Sequence, residues 1–370
     1  MDDLPVELRN NIFFRLPIKE IGRCMCVSKK WLSYIEEPKF ISSHATENFS
    51  SSSWMFWVVH QRVDLRNDND DNLDVYKYFE IPPDVSRSLA ICNGVICLLR
   101  RDTGGIELWN PTIKRKLSLP SPKVIDLTYF LAFGFDSSND DYKVVKFSPS
   151  GNCEIFSLKR GSWESPEIDG RYKFGGWGRS VQLGINGPLC WLASNSVNPV
   201  MLAFDLTEET FQEIHLPECL WGANELDMNL QAYKEHSIAI CYSTSSISQV
   251  WVMKEFGRVE TWDKIWELDL AERPDIKEFV LMGIRNNGQV LWRADIYNKR
   301  TVMSSDAELG ADKVLGVRAM MWDGVVRYFK ESLVLARNEN AETCPEYDIV
   351  PQWIDYDREV SVRVATAAEH

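Results

Sequence analysis

The chain has 370 residues, of which 45% are hydrophobic and 12% aromatic, so it can form a sizeable core and is not a disordered protein. Its net charge is −13, whereas proteins that bind nucleic acid or anionic membrane normally present a basic surface. We therefore expect neither a nucleic-acid partner nor membrane docking.

The nine cysteines lie mostly inside apolar runs, as Cys92, Cys97, Cys190 and Cys241 do. This usage is typical of reduced thiols that serve as small core residues in the cytoplasm or the nucleus. The first residues are not a basic stretch followed by an apolar one, and no run of about 18 apolar residues occurs anywhere. We therefore expect no signal peptide and no membrane-spanning helix.

The first 40 residues have a helical pattern. Apolar side chains recur every four residues at Leu4, Leu8, Ile12 and Leu16. Pro17 ends this helix, because proline lacks a backbone donor and restricts the residue before it. A second helix is predicted over residues 18–27, and Ser28 is a suitable N-cap for a third, which Pro38 ends.

Three helices in about 40 residues bury too little surface to be stable alone. They must dock on the rest of the chain or on another protein. The third helix adds a second apolar stripe, formed by Val27, Trp31 and Ile35. Serines are frequent after residue 41, and we interpret residues 45–53 as a linker.

From Trp54 onward, short β-branched and aromatic runs alternate with turns. Five of these predicted strands contain an aromatic residue at a regular interval: Trp109, Phe156, Phe204, Trp251 and Tyr297. The separations are 47, 48, 47 and 46 residues. Several strands per unit with a period in the forties indicate a β-propeller. The run to Leu335 predicts six blades, with seven blades or a β-sandwich array as alternatives.

The N-terminal motifs resemble the F-box over its whole length. They are Leu4-Pro5-Val6-Glu7-Leu8, Ile12-Phe13-Phe14-Arg15-Leu16-Pro17, Cys26-Val27-Ser28-Lys29-Lys30-Trp31, Ile35 and Pro38-Lys39-Phe40. Asn10 and Asn11 are unusual in the middle of a helix, because Asn lowers helix propensity by a few tenths of a kcal/mol.

The following domain resembles the F-box-associated domain, a kelch-like or propeller-like domain of plant F-box proteins. The matching motifs include Cys92-Asn93-Gly94-Val95-Ile96-Cys97-Leu98, Trp109-Asn110-Pro111-Thr112, Phe133-Gly134-Phe135-Asp136, Asp141-Tyr142-Lys143-Val144-Val145, Gly187-Pro188-Leu189-Cys190-Trp191-Leu192, Phe204-Asp205-Leu206 and Val250-Trp251-Val252-Met253-Lys254-Glu255. The resemblance covers about residues 1–335. It implies an F-box at 1–44, the linker at 45–53, the β domain at 54–335 and a C-terminal tail at 336–370.

The resemblance implies a substrate-recognition subunit of an SCF-type (Skp-cullin-F-box) ubiquitin ligase. The F-box would bind the Skp-family adaptor and, through it, the cullin-RING ligase. The β domain would bind an unidentified target protein. The expected adaptor-binding residues are Leu4, Pro5, Leu8, Ile12, Leu16, Pro17, Val27, Trp31 and Ile35.

Residues that could support catalysis are few, and we expect no catalytic residue, metal or cofactor. The five histidines have no metal-ligand spacing. The acidic residues from Asp68 to Asp74 lack the glycine and glutamate of a calcium loop, so we interpret them as a solvated hairpin loop. The alternatives to a ligase subunit are an F-box scaffold outside a ligase and, less favoured, a stand-alone propeller enzyme.

The target-binding surface of a propeller normally lies on loops of one face or in the central channel. The candidate loops are 100–105, 137–141, 172–179, 194–199, 221–228 and 244–248. Three aromatic residues in them, Tyr172, Trp177 and Trp221, belong either to exposed loops or to the blade core.

Overall fold

The computed structural model describes residues 5–47, 54–59, 62–68, 73–82, 85, 90–124, 130–147, 152–166, 172, 181–183, 187–195, 197–234, 237–297, 299–306, 310–318 and 327–344. These residues form an N-terminal helical module followed by a domain of short antiparallel strands. No described helix is long and apolar enough to cross a membrane.

The helical module has four helices, α1 (Val6–Phe13), α2 (Ile18–Met25), α3 (Lys29–Ile35) and α4 (Pro38–Glu47). Pro5 and Pro17 stand immediately before α1 and α2. The predicted cap of α3 is confirmed, because the Ser28 hydroxyl accepts a hydrogen bond from the Trp31 backbone N–H at 3.1 Å.

The fourth helix corrects the prediction of three helices, with a linker from residue 45. Pro38 ends α3 but also begins α4, because proline fits the first position of a helix, where its missing N–H is not needed. Phe40 and Ala45 of α4 are buried. The helix therefore continues to Glu47, inside the predicted linker, and becomes part of the core.

The β domain consists of six sheets in the described residues, and we call each sheet a blade. Blade 1 contains β1 (Trp54–Val59), β2 (Arg62–Arg66) and β3 (Val75–Glu80); blade 2 contains β4 (Ala90–Cys92), β5 (Val95–Leu99), β6 (Ile106–Asn110) and β7 (Arg115–Ser118); blade 3 contains β8 (Phe130–Asp136), β9 (Asp141–Phe147), β10 (Cys153–Ser157) and β11 (Ser162–Glu164).

The other three blades follow the same four-strand pattern. Blade 4 contains β12 (Val181–Gln182), β13 (Leu189–Ser194), β14 (Pro199–Asp205) and β15 (Thr210–His215); blade 5 contains β16 (Met228–Tyr233), β17 (Ser237–Ser243), β18 (Ile247–Met253) and β19 (Trp262–Asp269); blade 6 contains β20 (Ile276–Ile284), β21 (Val290–Ile296), β22 (Lys299–Ser305) and β23 (Asp312–Arg318). Two later strands, β24 (Tyr328–Phe329) and β25 (Glu342–Thr343), return to blades 1 and 2.

Apolar clusters join each blade to its two neighbours and close the six sheets into a ring. Two clusters flank blade 1: one packs Leu65 and Phe79 with Trp109 of blade 2, and the other packs Met55 with Leu291 of blade 6. The architecture is therefore a six-bladed β-propeller, which confirms the predicted fold class.

The repeat in the sequence follows the third strand of successive blades. Trp109, Phe156, Phe204 and Trp251 lie in β6, β10, β14 and β18. The fifth position was misassigned, because Tyr297 lies after β21, the second strand of blade 6, and is exposed with a positive φ of 51°. An exposed turn aromatic cannot fill the position of a buried strand aromatic, so the repeat is out of phase there.

Two glutamines link the innermost strands of neighbouring blades. The Gln182 carboxamide of blade 4 accepts from the Phe135 backbone N–H at 3.0 Å and donates to the Phe135 carbonyl at 2.8 Å. Gln231 of blade 5 makes the same pair of bonds with Ile284 of blade 6. Each amide therefore provides hydrogen-bond partners for the N–H and C=O groups of one residue, Phe135 or Ile284, that point towards the neighbouring blade and not towards a strand of their own sheet.

The acidic segment that begins at Asp68 differs from the predicted solvated loop. The Asp68 carboxylate is buried and pairs with Arg285 of blade 6 at 2.7 Å. The Tyr328 hydroxyl donates to the same carboxylate at 2.6 Å, and burial raises the pKa of this tyrosine, which keeps it protonated. Asp68 thus joins blade 1, blade 6 and the C-terminal strand. Asp70 and Asp71 lie outside the described residues.

The C-terminal segment, residues 327–344, completes the ring. Its strand β24 pairs with β1 as the innermost strand of blade 1, so one blade combines strands from both ends of the domain. Its strand β25 adds an outer strand to β7. Residues 336–344 therefore belong to the propeller and not to a tail that begins at residue 336, because their backbone pairs with blade 2.

Asn110 holds this segment in place. Its fully buried carboxamide donates to the carbonyls of Ser332 at 3.0 Å and Val334 at 2.8 Å, and accepts from the Thr112 N–H at 3.0 Å. The Ser332 hydroxyl donates to the Asn93 carbonyl at 2.5 Å. The motif that begins at Trp109 therefore anchors the segment that carries β24 and β25.

The helical module docks on this same segment. Its apolar cluster includes Leu333 and packs against Ile113 in the hairpin between β6 and β7. The Lys330 ammonium donates to the Ala45 carbonyl of α4 at 2.7 Å. The inner side of the module therefore packs on the propeller. Of the two possibilities raised by the sequence, docking on the rest of the chain and docking on another protein, the first is observed.

His44 lies inside this junction between Phe14 and Phe40, with ring centroids about 6 Å away. It is 3% exposed, and neither ring nitrogen has a hydrogen-bond partner in the described part of the chain. Burial, with the nearby Lys330 charge, lowers the pKa of His44 from 6.5 to about 4. The folded protein therefore keeps this histidine neutral.

Gly94→Ala should destabilise the propeller by about 2–4 kcal/mol. A Cβ at Gly94 would lie 2.3 Å from the Lys330 carbonyl, and the residue has φ +73°. Gly161→Ala is the matched control, since its φ is +70° but nothing lies within 4 Å of the added carbon. The control should lose only about 1–2 kcal/mol. Urea unfolding measures both; equal losses would contradict a structural role for the Lys330 contact.

Acid should weaken the wild-type protein more than a His44→Phe variant. The unfolded histidine binds a proton below pH 6.5 and the folded one only near pH 4, so stability present above pH 6.5 is lost as the pH falls towards 4. The expected extra loss at pH 5 is about 2 kcal/mol relative to pH 7.5. Urea titrations at both pH values test this, and parallel losses in the two proteins would disprove the assignment to His44.

Candidate functional site

The outer face of α1 presents apolar side chains to solvent. Leu8 is 51% exposed, and Ile12, one turn later on the same face, is also exposed, whereas Phe13 points inward and is fully buried. Helices normally turn this kind of stripe towards a core. Here the core side is already occupied by Phe13, so Leu8 and Ile12 form a second apolar face on the outside.

The other predicted adaptor-binding residues fall into three groups. Pro5, Pro17 and Val27 are exposed, and Val27 reaches 65%. Leu16 and Trp31 are half-buried against the cluster inside the module. Ile35 is fully buried, so in this arrangement it supports the helices and offers no surface. Leu4 lies outside the described residues.

The exposed set also includes Val6, which the sequence analysis missed. It is exposed to the same extent as Leu8, but it does not follow the four-residue spacing that defined the stripe. Its position at the start of α1, immediately after Pro5, is the only signal that could have indicated it, because the first turn of a helix extends past the packed core.

The inner side of α1 is fixed by contacts with α3. The rings of Phe13 and Trp31 meet edge to face at a centroid distance of 5.5 Å. The Tyr34 hydroxyl donates to the Asn10 carboxamide, and the Arg9 guanidinium lies 4.7 Å above the Tyr34 ring. Burial raises the pKa of Tyr34. Asn10, unfavourable for an isolated helix, thus has a partner that orients α1.

The module differs in charge from the rest of the protein. Residues 5–44 contain seven Arg and Lys residues and four Glu residues, whereas the whole chain has a net charge of −13. The exposed basic residues Arg15 and Lys19 lie at the junction of α1 and α2, close in sequence to Ile12. A partner for this surface would combine an apolar groove with acidic residues at its edge.

The propeller face opposite the helices is set by the strand order. Successive antiparallel strands reverse direction, so hairpins between first and second strands share one face with those between third and fourth strands. The helical module docks on that face, at Ile113 and beside Gly94. The hairpins between second and third strands, and the connections between blades, lie on the other face, which we call the distal face.

Most candidate target loops reach the distal face. Loops 100–105, 194–199 and 244–248 are hairpins between second and third strands, and 221–228 lies in a connection between blades. Loop 137–141 lies on the helix-bearing face instead, because it joins the first and second strands of blade 3. Of 172–179 only Tyr172 is described, and Trp177 lies outside the described residues.

Tyr172 and Trp221, the two candidate aromatic residues that the structure describes, differ in environment. Tyr172 is buried in the core between blades 3 and 4, where its hydroxyl donates to Glu213 at 2.8 Å. Trp221 is 49% exposed. Sequence position alone could not separate the two, because both lie in polar segments between strands.

The potential metal ligands of the described residues are scattered. Within the described ranges, no three His, Cys, Asp or Glu residues lie close enough to hold a metal ion. All nine cysteines are free. Burial raises the pKa of the core thiols, in Cys241 to about 12. These thiols act as apolar core residues, as the sequence indicates.

Comparison with known proteins agrees with both parts of the structure. A model of the F-box domain matches residues 1–43, and a model of the F-box associated beta propeller domain matches residues 39–342. The second match ends within β25, close to the last described residue.

Two Arabidopsis thaliana proteins illustrate the similarity. An F-box/kelch-repeat protein is 28% identical over 75% of this chain and 81% of its own length. The F-box protein CPR1 is 25% identical over 76% of each chain. Among solved structures, TolB from Acinetobacter baumannii matches with a TM-score of 0.45 at 15% identity, over 78% of this chain and 69% of that chain. The chain belongs to the plant-type F-box proteins that carry an F-box-associated β-propeller domain.

Proposed function

We propose that this chain is the substrate-recognition subunit of an SCF-type ubiquitin ligase. The outer face of the F-box binds a Skp-family adaptor and, through it, the cullin-RING ligase. The propeller binds the protein that becomes ubiquitinated. The chain itself supplies recognition and not the conjugation chemistry, and it acts in the cytoplasm or the nucleus.

One observation carries the proposal: the F-box presents apolar side chains to solvent although its inner side is already docked. Full burial of an exposed side chain of this kind is worth roughly 1.5–3 kcal/mol, and a partner that covered the exposed parts of Leu8, Ile12 and Val27 would gain a share of this from each. An exposed apolar set of this kind can form the apolar centre of an interface. Without a partner, they bring no comparable benefit to the fold.

The geometry also supports a linking role. The inner side of the F-box packs on Leu333 and Ile113, so the outer face points away from the propeller. The distal face of the propeller lies on the opposite side of the ring. An adaptor bound to the F-box would therefore leave the distal face open to a target.

Ile12→Asp should weaken adaptor binding at least tenfold, because it removes an apolar contact and places a charge in the interface. Asn11→Asp is the matched control, since it adds the same charge to an exposed position of the same helix. Binding of a purified Skp-family adaptor, measured by calorimetry, should be lost in Ile12→Asp and nearly unchanged in Asn11→Asp. Thermal melting must show cooperative unfolding in both variants.

The result that contradicts the proposal is an adaptor affinity that is equal in the wild type and Ile12→Asp, or absent in the wild type. A pulldown that includes cullin separates a ligase subunit from a scaffold that binds the adaptor alone. If cullin is absent from the wild-type complex while the adaptor is present, the chain is an F-box scaffold.

A further inference from the structure

The distal face carries a groove on blade 4 that is lined by Asn195, Val197, Asn198, His215 and Trp221 and has a volume of about 320 Å³. One wall is the hairpin between β13 and β14, and the other is the connection from β15 to β16. The groove is therefore formed by two of the loops expected from the sequence, which meet in space although about 20 residues separate them.

The apolar lining of the groove is not needed for the core. Val197 is 78% exposed at the hairpin tip and Trp221 is 49% exposed. The neighbouring Leu220 is almost fully buried in the cluster between blades 4 and 5, so it already anchors the connection. Trp221 thus remains available on the surface, and large exposed apolar residues grouped in this way mark interaction sites.

The groove is held rigid before anything binds. The Trp221 indole N–H donates to the Leu216 carbonyl at 3.2 Å, which orients the ring. The Asn195 side chain accepts from the backbone N–H groups of Val197 and Asn198, at 3.3 and 3.1 Å, and donates to Glu213 at 3.0 Å. A preorganised groove loses little side-chain entropy on binding, which favours affinity.

The connection that carries Trp221 is acidic. The connection over residues 216–227 contains Glu218, Glu225 and Asp227 and no Arg or Lys. Lys264 of blade 5, which lies near Cys219, is paired with Glu267. A basic side chain beside the groove would meet these carboxylates or lie over the face of Trp221.

We propose that this groove binds an extended segment of the target protein in which an apolar side chain stands beside lysine or arginine. The apolar side chain fills the space between Val197 and Trp221, and the basic side chain meets the acidic connection. The carboxamide of Asn198 supplies polar contacts for the backbone of the bound segment. This inference rests on the proposed role as a substrate-recognition subunit. It adds that the target is recognised at the groove on blade 4, through an apolar side chain beside a basic one.

The test is a selection of phage-displayed random 12-residue peptides against the full-length wild-type protein, without selection against any variant. Enriched peptides should combine an apolar residue with adjacent Lys or Arg. They should bind Trp221→Ala at least tenfold more weakly in fluorescence anisotropy, and exchange of their basic residues for Glu should cause a similar loss. Raised salt should weaken binding, because part of the affinity is electrostatic.

Tyr76→Ala is the matched control, because Tyr76 is also 49% exposed but lies in β3, the outer strand of blade 1. It should leave peptide binding unchanged. The proposal is overturned if no peptides are enriched, if the enriched peptides are acidic, or if they bind Trp221→Ala as well as the wild type.

Adaptor binding by Trp221→Ala should equal that of the wild type. This comparison separates the two ideas: loss of peptide binding with an intact adaptor affinity concerns the groove alone. A wild-type protein that selects basic apolar peptides but binds no adaptor would remove the ligase role and leave the groove as a binding site.

Discussion

The structure depends on the way the segment 327–344 returns to the first two blades. A ring of blades needs a bond between its ends, and here β24 supplies the innermost strand of blade 1 while Asn110 of blade 2 holds the residues that follow it. The buried Asp68–Arg285 pair joins blade 1 to blade 6 on the other side. A buried ion pair is costly to desolvate, so we attribute to this one the role of specifying that blade 1 packs against blade 6 and not a large gain in stability.

The same return of the chain creates the junction with the F-box. Lys330 follows β24 directly and donates to the Ala45 carbonyl near the end of α4. Leu333, three residues later, enters the cluster of the helical module. The same segment therefore closes the ring and positions the F-box. This coupling fits the proposed substrate-recognition role, because it holds the F-box and the propeller in one relative position.

Local patterns in the sequence were enough to predict much of this. The caps and apolar stripes of the helices depend on residues a few positions apart, as Ser28 and Trp31 show. The period of about 47 residues depends on one aromatic residue in each repeating blade. The fourth helix was missed because Pro38 can end one helix and begin the next, and only packing of Phe40 and Ala45 decides between them.

Other features that the sequence could not predict depend on contacts between distant parts of the chain. Asp68 was interpreted as solvated because its partner Arg285 lies 217 residues away. The role of Asn110 also depends on Ser332 and Val334, and Tyr172 could be recognised as buried only from the blades around it. The groove at Trp221 forms for the same reason, since two loops that look alike in sequence meet across blade 4.

The most direct test of this account is hydrogen–deuterium exchange on the wild-type protein and an Asn110→Ala variant. The substitution leaves buried carbonyls without donors, at a cost of about 1–3 kcal/mol each. If the C-terminal segment unites the ring and the F-box, protection should fall together in β24, β1 and α4. Loss of protection confined to residues near 110, with β24 and α4 unchanged, would contradict the account.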